Sequence, residues 1–436
     1  MHGRKMPATL RFMLASRRSE LLGLEDLART CELVTRISQL VHALQKERGY
    51  SNIYLSGKTA HQRQQLDVLS LEAEALEREV RLDLDRIDLD AVSSADKTRL
   101  FTRIAYALHS LDELPALRRR IREHAISMQD ATATLVRLIG GLLAVVFEAA
   151  DTAADPDITR CLVALFNFMQ GKELAGQERA LGVVGFASGY FRADMLERLE
   201  HLLEGQERCF ATFSRFASPA AQALWQALCA SETNINACRL RDIARRTSPG
   251  AAVEPQLCEL WFELHTHRID AMKQVETRLE QDLLQQCRYS IERIRKDLQS
   301  HRKLLDGIAD MHAAAEQAKL FSVQASDLDA PPPDGMTAMV ARSTLELLLT
   351  QSVRLQGLNE ELREARQALD ERKQVERAKQ QLMRQQGFSE GEAYGWLRQA
   401  AMNQGLRLEE VAQRLLALAQ PAERAPARTL GQRSRH

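Results

Sequence analysis

The stretch "LEDLARTCELVTRISQLVHALQKER", Leu24–Arg48, decides the fold. Apolar Leu27, Cys31, Val34, Val41 and Leu44 recur at three- and four-residue steps or their sums, the spacing of one helix face. The pattern continues to about Phe321, punctuated by "LSGKTA", "DLDAVSSADK", "DTAADPD", "FASGYF", "FASPAA" and "RRTSPGAAVEP". Each break combines Gly, Pro, Ser or Asp, the residues that supply turns and caps. The pieces between them predict about eight helices, arranged as two stacked four-helix bundles sharing long helices. No run alternates with the period of a strand, and no Gly-rich phosphate loop occurs. The fold class is therefore all-α, and a nucleotide-binding α/β enzyme is excluded.

Composition agrees. Of 436 residues, 45% are hydrophobic and 27% charged, and the formal net charge is zero, so any basic surface must be local. The seven cysteines are dispersed without a C-x-x-C, which argues against a disulfide framework or zinc site and for a reducing cytoplasm. "HTH", His265–His267, lacks metal-ligand spacing, and no metal or cofactor is expected. The N-terminus has no uninterrupted apolar core of a signal peptide. The run "LIGGLLAVVFEAA", Leu138–Ala150, is shorter than the roughly 20 residues of a membrane span and carries Glu148. It reads as a buried core helix, and no membrane partner is expected.

At "SDLDAPPPDGMTA", Ser326–Ala338, three consecutive prolines stop the helical pattern and stiffen the chain, marking a linker over 322–340. Beyond it, Leu348, Leu355, Leu358, Leu362, Ala365 and Leu369 keep a heptad rhythm. That makes Leu355, Leu358, Leu362 and Leu369 a candidate homodimer seam, the alternative being a helix packed on its own domain. Gly387 and Gly405 then end two helices, and Ser389 with Glu392 forms a capping-box pattern, so 341–420 reads as a coiled coil plus a small three-helix domain. The Pro/Arg-rich tail, 421–436, has a disordered composition.

Two arginines interrupt the apolar logic. Arg48 lies four residues after Leu44 and seven after Val41, on the buried stripe. "QKERGYSNIYLSG" (Gln45–Gly57) is echoed by "GQERALGVVGFASG" (Gly176–Gly189), where Arg179 sits among small residues Ala175 and Gly182. A buried cation must be paired. Glu47, Glu178 or another carboxylate could pair each one inside the fold. Converging, the two would instead form a site for a flat oxyanion, because the guanidinium is planar, always charged and forked. Arg239 or Arg241 in "NACRLRDIARR" is a third candidate.

These segments resemble known families. Residues 1–321, with E-R-G and E-R-A-L-G, resemble the nitrate- and nitrite-sensing domain of bacterial signalling proteins. "RKQVERAKQQLMRQQGFSEGEAYGWLRQAAMNQGLRLEEVAQRLL", Arg372–Leu416, resembles an ANTAR domain, an RNA-binding antitermination module. The combination implies a non-enzymatic, cytoplasmic, nitrate- or nitrite-responsive transcription antitermination regulator that binds hairpins in nascent leader RNA. It implies anion binding by Arg48, Arg179 and Arg239, and RNA binding by Lys379, Tyr394 and Arg398. Tyr394 and Arg398 are one helical turn apart, a spacing that suits stacking on a loop base beside a phosphate contact. No strand pattern of a phosphorylatable receiver precedes the module, so direct ligand control is expected. The competing reading is a helical scaffold dimerised through the coiled coil, with the arginines as internal salt bridges.

Overall fold

The computed structural model describes residues 8–57, 59–86, 98–324, 362–363, 366–367, 369–388 and 390–418. The chain divides into two compact units, Met1–Ala365 and Arg366–His436.

The first unit contains α1 (Ala8–Gly57), α2 (Ala60–Asp85), α3 (Thr98–Asp112), α4 (Leu114–Arg122), α5 (Met128–Thr152), α6 (Pro156–Ser188), α7 (Ala193–Phe216), α8 (Pro219–Ala230), α9 (Glu232–Arg246) and α10 (Leu257–Gln324). Among the described residues there are no strands. The expected breaks fall between helices as composition dictates, but the sequence count of about eight misses helix starts marked by Pro115, Ser127 and Ser231. Pro115 stands in the first turn of α4, where its missing N–H costs nothing. Ser127 and Ser231 are N-caps whose hydroxyls accept from the Asp130 and Asn234 amides. Single polar caps inside long amphipathic patterns are easily read through.

α1 packs on α2, α5, α6 and α10, so it is far more enclosed than one apolar stripe requires. From Ile37 to Gly49 nearly every residue is buried, polar Ser38, Gln45, Glu47 and Arg48 included. α6 is its counterpart, contacting α1, α5, α7 and α10. Asp155 caps α6, accepting from the Ile158 amide at 3.0 Å, and Pro156 opens its first turn. At its C-terminal end, Gly189 (φ 73°) lets the chain turn back, and Val253 N–H donates to the Gly189 carbonyl at 2.8 Å. The core beside this turn holds Phe186, Phe191, Met195, Leu199 and Trp261. α5, which contains Leu138–Ala150, is apolar and long enough to cross a membrane, yet most of it is buried against α1, α3 and α6.

The second unit contains α11 (369–386), α12 (Glu390–Gln404) and α13 (Leu408–Leu418). Gly387 (φ 69°) and Gly405 (φ 61°) close α11 and α12 in the left-handed conformation that side chains disfavour. Ala378, Leu382, Ala393, Leu397, Ala401, Val411 and Ala412 form its core. The triple-proline linker, Leu355, Leu358, Ser389 and the tail lie outside the described residues.

Candidate functional site

The site is built where α1 crosses α6. Both helices bring a polar tripeptide to the crossing, Glu47-Arg48-Gly49 and Glu178-Arg179-Ala180. The glutamates do not pair with their neighbouring arginines. Glu47 is claimed by Arg118 of α4, at 2.7 and 2.9 Å, and by the Ser70 hydroxyl. Glu178 is claimed by Arg241 of α9, again at 2.7 and 2.9 Å, and by the Gln206 amide. Two-point Arg–carboxylate pairs of this kind are the strongest the chain can make. They leave Arg48 and Arg179 free to face the crossing.

The arginines approach each other through glycines. A Cβ on Gly176 would lie 2.5 Å from the Arg48 Nη2, and a Cβ on Gly49 would collide with the Arg179 guanidinium. Each helix therefore receives the other's guanidinium over a bare backbone. Gly182 serves another purpose: it makes room for the Trp261 indole, whose Nε1 donates to the Arg179 carbonyl at 3.0 Å.

One carboxylate pairs with Arg48. Glu173 Oε1 accepts from Arg48 Nη1 at 2.5 Å and from Gln177 Nε2 at 3.0 Å, and Oε2 accepts from Gln45 Nε2 at 2.9 Å. Arg179 donates to the Thr266 hydroxyl at 2.9 Å and to the Gln45 carbonyl at 3.4 Å, with Phe262 under its guanidinium at 5.1 Å. Burial, and then the adjacent Arg48 charge, pull the Arg179 guanidinium down to about 10. The Nη2 of Arg48 and the Oε1 of Gln45 are buried without a hydrogen-bond partner. An orphaned, buried, charged donor is costly unless something else completes it.

Two clefts flank α1, and only the second reaches α6. One, of about 490 Å³, has His42, Lys46, Asp270 and Lys273 in its walls. The other, of about 510 Å³, is lined by Asn52 and Gln177, the latter donating to Glu173.

Arg239 is not brought to this centre. It is exposed on α9, its Nη1 donating to Asn236 at 3.2 Å, and α9 packs on α7, α8 and α10. The inward arginine of that segment is Arg241. Beside it, Glu178 also faces Arg268 Nη1 at 3.5 Å. Burial works against the Glu178 charge, but Arg241 and the other cations overcome it and hold the carboxyl at about 2. His265, stacked 3.9 Å from Trp261, is pushed down to about 3, first by burial. No group of metal-ligating side chains occurs among the described residues.

Sequence reasoning missed Glu173, Gln177, Thr266 and Phe262. The one available sign was Lys172-Glu173, two adjacent charges just after the largely apolar run Leu162–Met169 of α6. Thr266 stands inside "HTH", where the flanking histidines drew attention instead.

In the second unit, Lys379 is 5% exposed and ion-paired with Glu376 at 3.0 Å, Tyr394 is 5% exposed, and Arg398 is exposed. Tyr394 lies outside the core cluster that Ala393, Leu397 and Ala401 of the same helix enter. Trp396 and Met402 are the large apolar side chains that α12 exposes. Of the heptad leucines within the described residues, Leu362 is half-buried and Leu369 is buried.

Comparison with known proteins places these features. Residues 39–284 match the family of nitrate and nitrite sensing domains, and residues 363–416 match the ANTAR domain. The molecule is thus a helical anion sensor joined to an ANTAR module. The "Nitrate regulatory protein" of Klebsiella oxytoca is 35% identical over 416 residues, covering 94% of this chain and 95% of that one. The solved structure of the NasR transcription antiterminator is 33% identical, with a TM-score of 0.56, covering 94% of this chain and 99% of that one. The chain belongs to this family of nitrate-responsive transcription antitermination regulators.

Proposed function

We propose that one nitrate or nitrite ion binds between Arg48 and Arg179, and that its occupancy controls the binding of leader RNA hairpins by the ANTAR module. The observation that carries this reading is the crossing itself: two buried guanidiniums, one carboxylate paired with Arg48 alone, and an orphaned Arg48 Nη2. Arg239 has no place in the binding centre. An anion held by both arginines adds a tie between α1 and α6 and cancels their mutual repulsion, so it favours whichever helix arrangement brings them together. That differential stabilisation is the only way a ligand can act as a switch.

RNA is contacted by Arg398, and by Lys379 and Tyr394 once they are uncovered. An RNA phosphate would take Lys379 from Glu376. The active species is a homodimer joined through Leu355, Leu358, Leu362 and Leu369. It works in the cytoplasm, where transcripts are made, and carries out no catalysis. Residues 1–321 act as the sensor, 322–340 as a linker, 341–420 as coiled coil and RNA-binding domain, and 421–436 as a tail. The scaffold alternative retains one correct element, since Arg48 does pair internally with Glu173, but that pair leaves Arg179 without a carboxylate hydrogen bond.

The test is a gel shift of leader RNA by the full chain across a nitrate titration, repeated with Arg179→Met and Tyr394→Ala. Nitrate should raise RNA affinity in the unaltered chain. Arg179→Met should remove the nitrate dependence, and Tyr394→Ala should remove RNA binding while leaving nitrate binding in place. RNA binding that ignores nitrate would sink the reading.

A further inference from the structure

Resting on the arginine site just proposed, we infer that Glu173 sets the charge of the anion the sensor admits, restricting it to monovalent ions. The buried charges at the crossing are Arg48, Arg179 and Glu173, exposed by 1%, 5% and 2%. Neighbouring buried charges are committed elsewhere: Lys172 to Glu276, Glu47 to Arg118, and Glu178 to Arg241 and Arg268. Asp270, the carboxylate that acts most on Arg179, is exposed, where water weakens its field. Two cations and one carboxylate leave one uncompensated positive charge.

Glu173 is the acceptor at the centre of this cluster. Both oxygens accept hydrogen bonds, from Arg48, Gln177 and Gln45. A monovalent anion therefore brings the enclosed charge to zero. A divalent one leaves an unpaired negative charge beside a fixed carboxylate where water cannot screen it. In this scheme planarity favours nitrate, but charge does the excluding.

Competition calorimetry on the full-length chain tests this with three probes: nitrate, planar and monovalent; perchlorate, tetrahedral and monovalent; sulfate, tetrahedral and divalent. Perchlorate should displace nitrate at least about tenfold more effectively than sulfate, and Glu173→Gln should raise sulfate affinity at least about tenfold by removing one nearby like charge. If the unaltered chain refuses perchlorate and sulfate alike, shape selects and the inference falls. It falls equally if sulfate rivals perchlorate, or if a folded, nitrate-binding Glu173→Gln protein still excludes sulfate. Should Glu173→Gln fail to fold, the perchlorate-to-sulfate ratio of the unaltered chain decides alone. If nitrate itself gives no heat in the unaltered chain, the arginine site is wrong and the inference falls with it; nitrate binding without charge selection overturns the inference only.

Discussion

Lys172 and Glu173 are adjacent on α6, yet they belong to two buried charge clusters built in opposite ways. Lys172 meets Glu276 of α10 at 2.5 Å, while Lys273 bridges Glu276 and Glu280 at 2.7 and 2.8 Å, and the Ser38 hydroxyl lies within hydrogen-bond reach of both carboxylates, with one proton to give to either. Two cations face two carboxylates there, and the cluster is electrically closed. Glu173 sits instead with two arginines, and that cluster is open by one charge. Burial is similar in both, so it cannot distinguish a structural network from a ligand site. Charge balance separates these two: the Lys172 cluster is neutral, whereas the Arg48–Arg179–Glu173 cluster has room for one more negative charge.

The sharpest way to break this contrast is to open the closed cluster. Glu276→Ala leaves Lys172, which is fully buried, without its counter-charge. Urea unfolding should show a loss of about 3–5 kcal/mol. A loss under about 1 kcal/mol, the scale of an exposed pair, would mean that the two clusters are not different in kind.

The open cluster should respond in reverse. Arg179→Met keeps an unbranched stem over Phe262 and removes a like charge from beside Arg48. Nitrate binding by calorimetry should weaken by about 2–3 kcal/mol, the worth of hydrogen bonds to a charged group. Unfolding free energy should change by less than about 1 kcal/mol, since replacing a buried charge by an apolar isostere is often neutral.

Acid gives a third test. The folded chain holds His265 at about 3, below the usual histidine value, so the unfolded chain binds its proton first. That contribution to stability is complete above about pH 6.5 and is lost progressively as pH falls toward 3. By pH 5 the loss amounts to roughly 2 kcal/mol. Thermal unfolding across this range should flatten in His265→Leu. Below about pH 4.5 the depressed Glu178 and Glu276 carboxyls, both at about 2, add losses of the same sign.

The smallest effect belongs to Arg239→Ala. Its guanidinium is exposed and touches Asn236 of its own helix. Both nitrate affinity and stability should stay within about 0.5 kcal/mol. A large loss of nitrate response would place α9 in the binding centre after all.

Much of the first unit was legible from local pattern. Period and punctuation marked most helices, and the apolar stripe that runs into Arg48 identified a cation where none belongs without a partner. The echo of that segment at Arg179 supplied the second half of the proposed site. Arg239 or Arg241 stood as the third candidate, the family resemblance carried the role onto Arg239, and Arg241 is the one that faces inward.

The sequence by itself determined the all-α class, the helix ends written as Gly, Pro and Ser/Thr/Asp caps, the division into a long helical region and a small C-terminal module, and the presence of two misplaced arginines. These are properties of neighbours within a turn or two. Tertiary structure alone decided which carboxylate each arginine receives. Arg48 takes Glu173, while Glu47 and Glu178 go to Arg118 and Arg241, partners 71 and 63 residues away. Charge pairing depends on distances of a few ångströms across helices, and spacing along the chain carries no record of which glycine another helix will use to come that close.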